Sequence, residues 1–524
     1  MNRLIITLGF YFSLGAAHAT NFNDFCPHTD ASVDCSSEFV DALYAAAEKN
    51  DALYFYGNEK FWLRGIELND PTLEVVNLVG VAHEGNQPTV ITEGMSLIIN
   101  GRMSISGLRF EGYKPYEPTL GNKGYLLKTT VGHDLTSGLR IENNDFSNAS
   151  EDLLAVWNST NVSIHNNRFQ RAGLADHIEV MLIPGDERPI GSGVVVNNIV
   201  DANIIRNDFY EIKKIGIYFD STHIVSKNVT IANNLFDLKH YEVPTKRYGF
   251  QGAVGVYLNQ IMEFSNFEIL GNTFLGTING VRINGSDIRV AYNNFNPSGY
   301  CTNTSTSTSS IIEDTGIAIK GHYLENIKIE NNCIDNHAVG IALVSWKNIS
   351  DVDINENKIN DGHTGIVVED IEGADFNSIS IVRNELYRVL GNNIALRSRT
   401  VSSNNIVVQN TILQDPTWHR TGITTDGPLI VANNQNRLFI ENNYLIATPT
   451  SVNWNLITLN GVTESFIKRN YLRPSQLGKS ESFGGIKLNN SSTGNLLLNN
   501  TFVGFYPGIH DYGSQNKSDY NTFN

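Results

Sequence analysis

One short phrase keeps returning along this chain: an aliphatic residue, two spacers, an asparagine, one spacer, then Phe, Leu or Ile. It reads Ile-Glu-Asn-Asn-Asp-Phe at Ile141–Phe146 and Ile-His-Asn-Asn-Arg-Phe at Ile164–Phe169. The repeating asparagine falls at Asn144, Asn167, Asn207, Asn234, Asn272, Asn293, Asn332, Asn357, Asn384, Asn410, Asn443, Asn470, Asn500 and Asn521. The steps between them run from 21 to 40 residues, and eight of the thirteen lie between 21 and 27. A floor with irregular excess is what a solenoid gives when some coils carry inserted loops.

The flanking residues select a β solenoid. Ile, Val and Phe alternate with polar residues, which is strand periodicity. Gly and Asn punctuate the strands, and both tolerate the left-handed backbone of a tight corner. Identical amides stacked coil on coil can hydrogen-bond along the axis. A coil of about 22 residues accommodates three short strands, and thirteen steps of ~4.8 Å make a rod on the order of 60 Å long. This coil floor and Asn column resemble the right-handed parallel β-helix of the pectate-lyase-like superfamily, from about Asp70 to the C-terminus. The resemblance implies an all-β, single-domain solenoid and a carbohydrate-active enzyme.

Residues 1–19 read as a signal peptide: Arg3, an apolar run over Leu4–Ala17, and an Ala17-His18-Ala19 cleavage site. Residues 20–69 read as an N-terminal cap and 70–524 as the β-helix. Ser36–Lys49 is patterned as an amphipathic helix with Ser36 or Ser37 as N-cap and Phe39, Leu43 and Ala46 or Ala47 on one face. A helix there resembles the end plug of β-helix carbohydrate enzymes, and an uncapped solenoid would expose core and strand edges. That family usually has Pro in the turn that follows; this chain has Gly57-Asn58-Glu59. Export permits disulfides: Cys26 with Cys35 in one short loop, and Cys301 with Cys333 as a second pair. The net charge of −16 argues against nucleic-acid and anionic-membrane partners, and no later stretch is a membrane span. The expected protein is a secreted or periplasmic monomer.

A second repeat follows each asparagine: Gly, Asn or His, then aliphatic, variable, aliphatic, variable. It includes Gly216-Ile-Tyr-Phe-Asp, Gly255-Val-Tyr-Leu-Asn, Gly280-Val-Arg-Ile-Asn and Gly316-Ile-Ala-Ile-Lys. Alternation turns the aliphatics inward and the variable positions outward. In-register coils then form two outward columns. One holds Glu179, Tyr218, Tyr257, Arg282, Ala318, Ala342, Val367 and Ala395; the other holds Met181, Asp220, Asn259, Asn284, Lys320, Val344, Glu369 and Arg397. Acids, tyrosines, asparagines and two cations on consecutive coils make a candidate sugar-binding groove, since rings stack on pyranoses and planar polar groups bind hydroxyls and carboxylates. The plain alternative is a polar solvent face with Tyr packing between coils. Insertions at Pro184–Asn198, Lys239–Gly252 and Asn296–Thr315 adjoin these coils and would wall the groove.

Two chemistries fit. In a lyase, Arg282 and Lys320 neutralise a uronate carboxylate, and Lys320, Tyr257 or Tyr218 takes the C5 proton; Glu179 and Asp220, with Asn259, offer oxygen ligands to Ca²⁺. In a glycoside hydrolase, Glu179 and Asp220 form the carboxylate pair. Tyr218, Asn259, Asn284, Glu369 and Arg397 are the expected substrate-binding residues, and an acidic glycan such as alginate or pectin fits the cationic pair. The polygalacturonase-like series Asn-x-Asp, Asp-Asp, Gly-His-Gly and Arg-x-Lys is absent, as are the Asp-Pro-His of mannuronan epimerases and the Arg-x-Pro-x-x-Arg of classical pectate lyases. A non-catalytic carbohydrate-binding or adhesive rod is the third reading. The coils beyond Asn410 carry little chemistry, and His510, Asp511 and Tyr512 read as a polar end.

Overall fold

The structure is a computed structural model. It describes residues 19–113, 125–131, 138–174, 191–220, 226–238, 254–258, 264–277, 279–296, 315–373, 375–414, 427–447, 455–474, 484–505 and 507–524. The signal peptide, the middle insertion with His240, Tyr241, Lys246, Arg247 and Tyr248, and the residues Glu179, Met181, Asn259 and Cys301 lie outside that set.

The coils stack as a parallel β-helix with three faces. One coil shows the plan. Ile215–Asp220 lies on face one and Lys227–Ala232 on face two; Leu235–Asp237, just past the repeating Asn234, lies on face three. Each strand pairs in parallel with its counterpart one coil on, as Ile217 does with Val256 and Phe236 with Phe274. Face-one aliphatics Val194, Ile217, Val256, Val281, Ile317, Ile341 and Ile366 form one inward row, each fully buried.

The asparagine column is continuous over all thirteen steps. Asn234 donates from both its backbone N and its side-chain Nδ2 to Asn272 Oδ1, each at 2.9 Å, and Nδ2 also donates to Ile204 O at 2.8 Å. The same bonds join Asn144 to Asn167 at one end and Asn500 to Asn521 at the other. The left-handed residue at the corner is the one before the ladder asparagine. It is Asn at 143, 166, 233, 331, 442 and 499, Gly271 at one corner, and Arg206, Tyr292, Glu356, Arg383, Gln409, Arg469 and Tyr520 at the others, with φ between 53 and 62°. The turn is therefore imposed by the ladder on whatever residue stands there, at a cost of about 1–2 kcal/mol for a residue with a Cβ.

Beside the ladder, Phe110, Phe146, Phe169, Phe209, Phe236, Phe274 and Phe295 stack inside the rod at 4.7–5.1 Å between centroids, within 15° of parallel. This stack explains the glycine of the second repeat. A Cβ on Gly255 would lie 2.4 Å from the Phe274 ring, and one on Gly280 2.2 Å from Phe295. Glycine here answers to packing, because the ring occupies the place of a side chain.

The helix spans Ser36–Glu48 and buries Phe39, Ala42, Leu43 and Ala46 against the first coils. Phe39 joins Phe22, Phe55 and Phe61 in a cluster with centroids 4.9–6.5 Å apart. Burying Phe39 and Leu43 alone contributes about 3–6 kcal/mol. Neither Ser36 nor Ser37 caps the helix: the N-cap position is Cys35, which makes no side-chain capping bond. Asp34 does that work, accepting from Ser36 N at 3.1 Å, Ser36 Oγ at 2.5 Å and Arg64 N at 3.1 Å. Cys26 and Cys35 are disulfide-bonded and buried; Cys333 is also disulfide-bonded. Parallel pairing starts before residue 70, with Leu53–Tyr56 on Val75–Val81 and Lys60–Leu63 on Thr89–Thr92, so the first coils lie within the segment read as the cap.

Candidate functional site

The outward columns of face one can be followed pair by pair. The first runs Lys128, Ala155, Val195, Tyr218, Tyr257, Arg282, Ala318, Ala342, Val367, Ala395, Val431, Thr458, Lys487 and His510. From Tyr218 to Ala395 it coincides with the expected column. Before Tyr218 it does not: the partner of Tyr218 is Val195, in the place given to Glu179. The second column runs Trp157, Asn197 and Asp220, and resumes as Lys320, Val344, Glu369, Arg397, Asn433 and Asn460. Asn284 precedes Lys320 there, because Ile283 pairs with Ile319. The insertion read as Pro184–Asn198 is shorter at its C-terminal end, since Ser192–Ile205 is one continuous strand.

Arg282, Tyr257, Asp220 and Lys320 therefore share one face, within three coil steps or about 14 Å along the axis. The face is not an open groove. Tyr218 is 2% exposed and Tyr257 8%, and Asn284 is buried, while Asp220, Arg282 and Lys320 are half-buried. The two tyrosines stack on each other at 5.6 Å and 14°. Tyr218 thus offers no free ring face to a pyranose, which corrects the expectation that both rings serve as sugar platforms. The Arg282 guanidinium lies over Tyr257 with Cζ 5.5 Å from the ring centroid. An arginine seated on a ring is weakly hydrated and held in direction. Glu369 and Arg397, neighbours in the second column, pair with each other at 3.5 Å.

The apolar positions have a reason. Ala155, Val195, Ile215, Tyr218, Val254 and Tyr257 pack as one cluster on the outer side of the sheet. A second, Val339, Ala342, Val367 and Ala395, lies beyond Arg282. Arg282 is thus the charged interruption of an apolar stripe, and low polarity around it strengthens whatever ion pair it forms.

Sequence reasoning missed a cationic and aromatic group upstream on the same face. Lys128 Nζ stands 3.8 Å from the Trp157 ring centroid and 5.8 Å from that of Tyr125. Tyr125, Tyr113, Glu93 and Asp152 line a cleft beside it. Asp152 is buried and accepts from Gly191 N at 2.9 Å and Ser192 N at 2.6 Å, so it holds the start of the next coil. The signal was present as Tyr125-x-x-Lys128, but it precedes the first full repeat.

Of the residues offered to calcium, Asp220 is half-buried in the second column, and Glu179 and Asn259 lie outside the described residues. Among the described residues no three His, Cys, Asp or Glu side chains gather as a metal site, and no helix is long and apolar enough to cross a membrane.

The family model described as "Right handed beta helix region" matches residues 121–295. No curated protein matches the chain. Among solved structures, the DFA-IIIase of Arthrobacter chlorophenolicus A6 in complex with GF2 is similar at 12% identity and a TM-score of 0.38, over 91% of this chain and 93% of that one. The same enzyme without its lid, in complex with GF2, gives 12% and 0.39 over 96% and 98%. PfbA, a surface adhesin of Streptococcus pneumoniae, gives 12% and 0.34 over 96% and 93%. By its strand pairing, its asparagine ladder and the family match, the chain is a parallel β-helix protein.

Proposed function

We propose that the protein is a secreted enzyme acting on an acidic polysaccharide, cleaving it by β-elimination at a uronate unit. The observation that carries this reading is Arg282, stacked on Tyr257 within an apolar stripe and one coil from Lys320. Arg282 pairs with the uronate carboxylate and stabilises the charge that develops when the C5 proton leaves. Lys320 or Tyr257 accepts that proton. The C5 electron pair forms the C4–C5 double bond, the C4–O bond breaks, and the leaving oxygen takes a proton.

Glycoside hydrolysis needs a second carboxylate within about 5–9.5 Å of the first. In the second column the next described carboxylate after Asp220 is Glu369, five coils or about 24 Å away. The hydrolytic pair would need Glu179, whose expected place in the column belongs to Val195. The elimination reading uses groups that already adjoin. An adhesive rod gives no reason for an arginine in the apolar stripe. Export is supported by the Cys26–Cys35 disulfide.

The test is to incubate the purified protein with alginate, pectate and glycosaminoglycans, with and without Ca²⁺, and to follow both ultraviolet absorbance and reducing ends. Absorbance from an unsaturated uronate supports elimination. New reducing ends without absorbance would replace it with hydrolysis, and neither signal would favour a binding rod.

A further inference from the structure

Face two carries an outward column that changes character once. From Asn77 to Ser380 its eleven residues are all polar, among them Arg140, Glu268, Arg289, Lys328 and Asp353. The next four are Ile406, Phe439, Phe466 and Leu496, and Lys517 then ends the run. Alternation places these four outside, since their chain neighbours Val407, Ile440, Ile467 and Leu497 are the buried ones. Phe466 is 36% exposed, and the other three are half-buried. Phe439 and Phe466 stack on each other at 5.2 Å and 10°, so the stripe is continuous. Eleven coils close with polar residues in this column, so the coil itself does not require an apolar one. A contiguous apolar stripe on an otherwise polar face marks a surface that another molecule covers.

The residues bordering the stripe say what covers it. On its leading side stand Arg437 and Glu464, corner residues whose side chains are about two-thirds exposed. On its trailing side stand Glu441 and Lys468. Each side pairs within itself along the rod: Arg437 Nε lies 3.8 Å from Glu464 Oε2, and Lys468 Nζ 3.1 Å from Glu441 Oε2. The two sides carry their charges in opposite order. A twofold axis crossing between Phe439 and Phe466, at right angles to the rod, lays the stripe on the same stripe of an antiparallel copy. Phe439 then faces Phe466 of the second copy, and Ile406 faces Leu496. On the trailing side Val408 faces Leu498 and Glu441 faces Lys468; on the leading side Arg437 faces Glu464. Apolar meets apolar, and each of the four bordering charges meets its opposite. A twofold axis along the rod would instead lay the column on itself, Glu268 on Glu268 and Arg289 on Arg289, which like charges oppose.

We propose that the protein forms an antiparallel homodimer through face two of its last coils, with Ile406, Phe439, Phe466 and Leu496 at the centre and the Arg437–Glu464 and Glu441–Lys468 contacts between copies fixing the register. Six coils face six, from Ser380 to Lys517, or about 29 Å of rod. The five residues from Arg437 to Glu441 give a width of about 17 Å. The two copies together cover about 1,000 Å², the threshold of a specific interface, so the dimer is one that dissociates on dilution. It replaces the expectation of a monomer. Face one stays uncovered, so the proposal stands apart from the elimination reading.

The experiment is sedimentation equilibrium of the full chain over a range of concentrations. A reversible monomer–dimer equilibrium is expected, and Phe466→Lys should weaken it at least about tenfold. Glu464→Arg and Arg437→Glu each set like charges across the axis and should each weaken it as well. Mixing those two variants opposes unlike charges again, now between different chains, and should restore the dimer. Each chain in the mixture keeps its own like-charged neighbours, so a role confined to one chain would leave the mixture no better than its components. Melting curves identify folded protein. A parent that stays monomeric at every concentration or forms any other oligomer, a folded Phe466→Lys that associates as tightly as its parent, or a mixture no more dimeric than its components would overturn the proposal.

Discussion

Replacing Asn272 by alanine tests the ladder where it is driest. Asn272 is fully buried. Its Nδ2 donates to Ile231 O at 2.8 Å and to Asn293 Oδ1 at 3.0 Å; its Oδ1 accepts from Asn234 N and Asn234 Nδ2, both at 2.9 Å. Alanine removes four hydrogen bonds. At about 1 kcal/mol net for each, the loss is ~4 kcal/mol. Asn521 occupies the same position on the last coil, where its side chain is partly exposed and water can replace the lost partners. Asn521→Ala should cost about 1 kcal/mol. The assay is urea unfolding followed by circular dichroism, with hydrogen exchange at the Asn234 amide as the local readout. A solenoid need not unfold in one step, so the exchange measurement carries the comparison. Equal costs at the two positions, or an Asn234 amide as protected in Asn272→Ala as in the parent, would refute the claim that the ladder holds the coils in register.

Other consequences follow from particular residues. Gly255→Ala should destabilise by ~1–3 kcal/mol, because its Cβ meets the Phe274 ring at 2.4 Å; adding Phe274→Leu should recover part of that loss in denaturation experiments, and strict additivity would argue against the contact. Burial pushes the Asp34 carboxyl up, but hydrogen bonds from Ser36 and the Arg64 amide and the Arg64 charge outweigh it and hold it below 3.8. A depressed value stabilises above the unfolded value and loses that contribution as pH falls through the folded one. Asp34→Ala should therefore speed hydrogen exchange in Ser36–Glu48 at pH 7, by the ~1 kcal/mol of a helix cap, with the difference shrinking as pH falls below 3.8. For Asp208, burial raises the carboxyl and Arg168 only partly opposes it. Its contribution is present below 3.8 and is lost as pH rises through the folded value, so Asp208→Asn should raise the melting temperature at pH 7 and leave it unchanged near pH 3.

Much of the fold is legible because its repeats are chemical. The asparagine column and the alternation from Tyr218 to Ala395 follow from residue type alone, and the structure pairs them coil by coil. The register before Tyr218 was not legible. The step from Asn167 to Asn207 contains two segments with a suitable pattern, one at His177–Met181 and one at Gly193–Asn197. The structure uses the second, in which Val194, Val195 and Val196 are all apolar, so alternation does not mark which one faces out. The role of Gly255 was hidden because the ring that excludes a side chain is Phe274, one coil away. Asp34 is hidden as a cap because two serines, Ser36 and Ser37, stand at the helix start itself.

The most direct test of the central claim is the initial rate of ultraviolet absorbance increase on an acidic polysaccharide, recorded side by side for the parent protein and for Arg282→Ala with an unchanged melting temperature. The account predicts a clear rise for the parent and a rate at least about a hundredfold lower for the variant, the usual scale for losing a group that stabilises developing charge. Equal rates for the two proteins, or no rise from the parent on any uronate polymer, would contradict it.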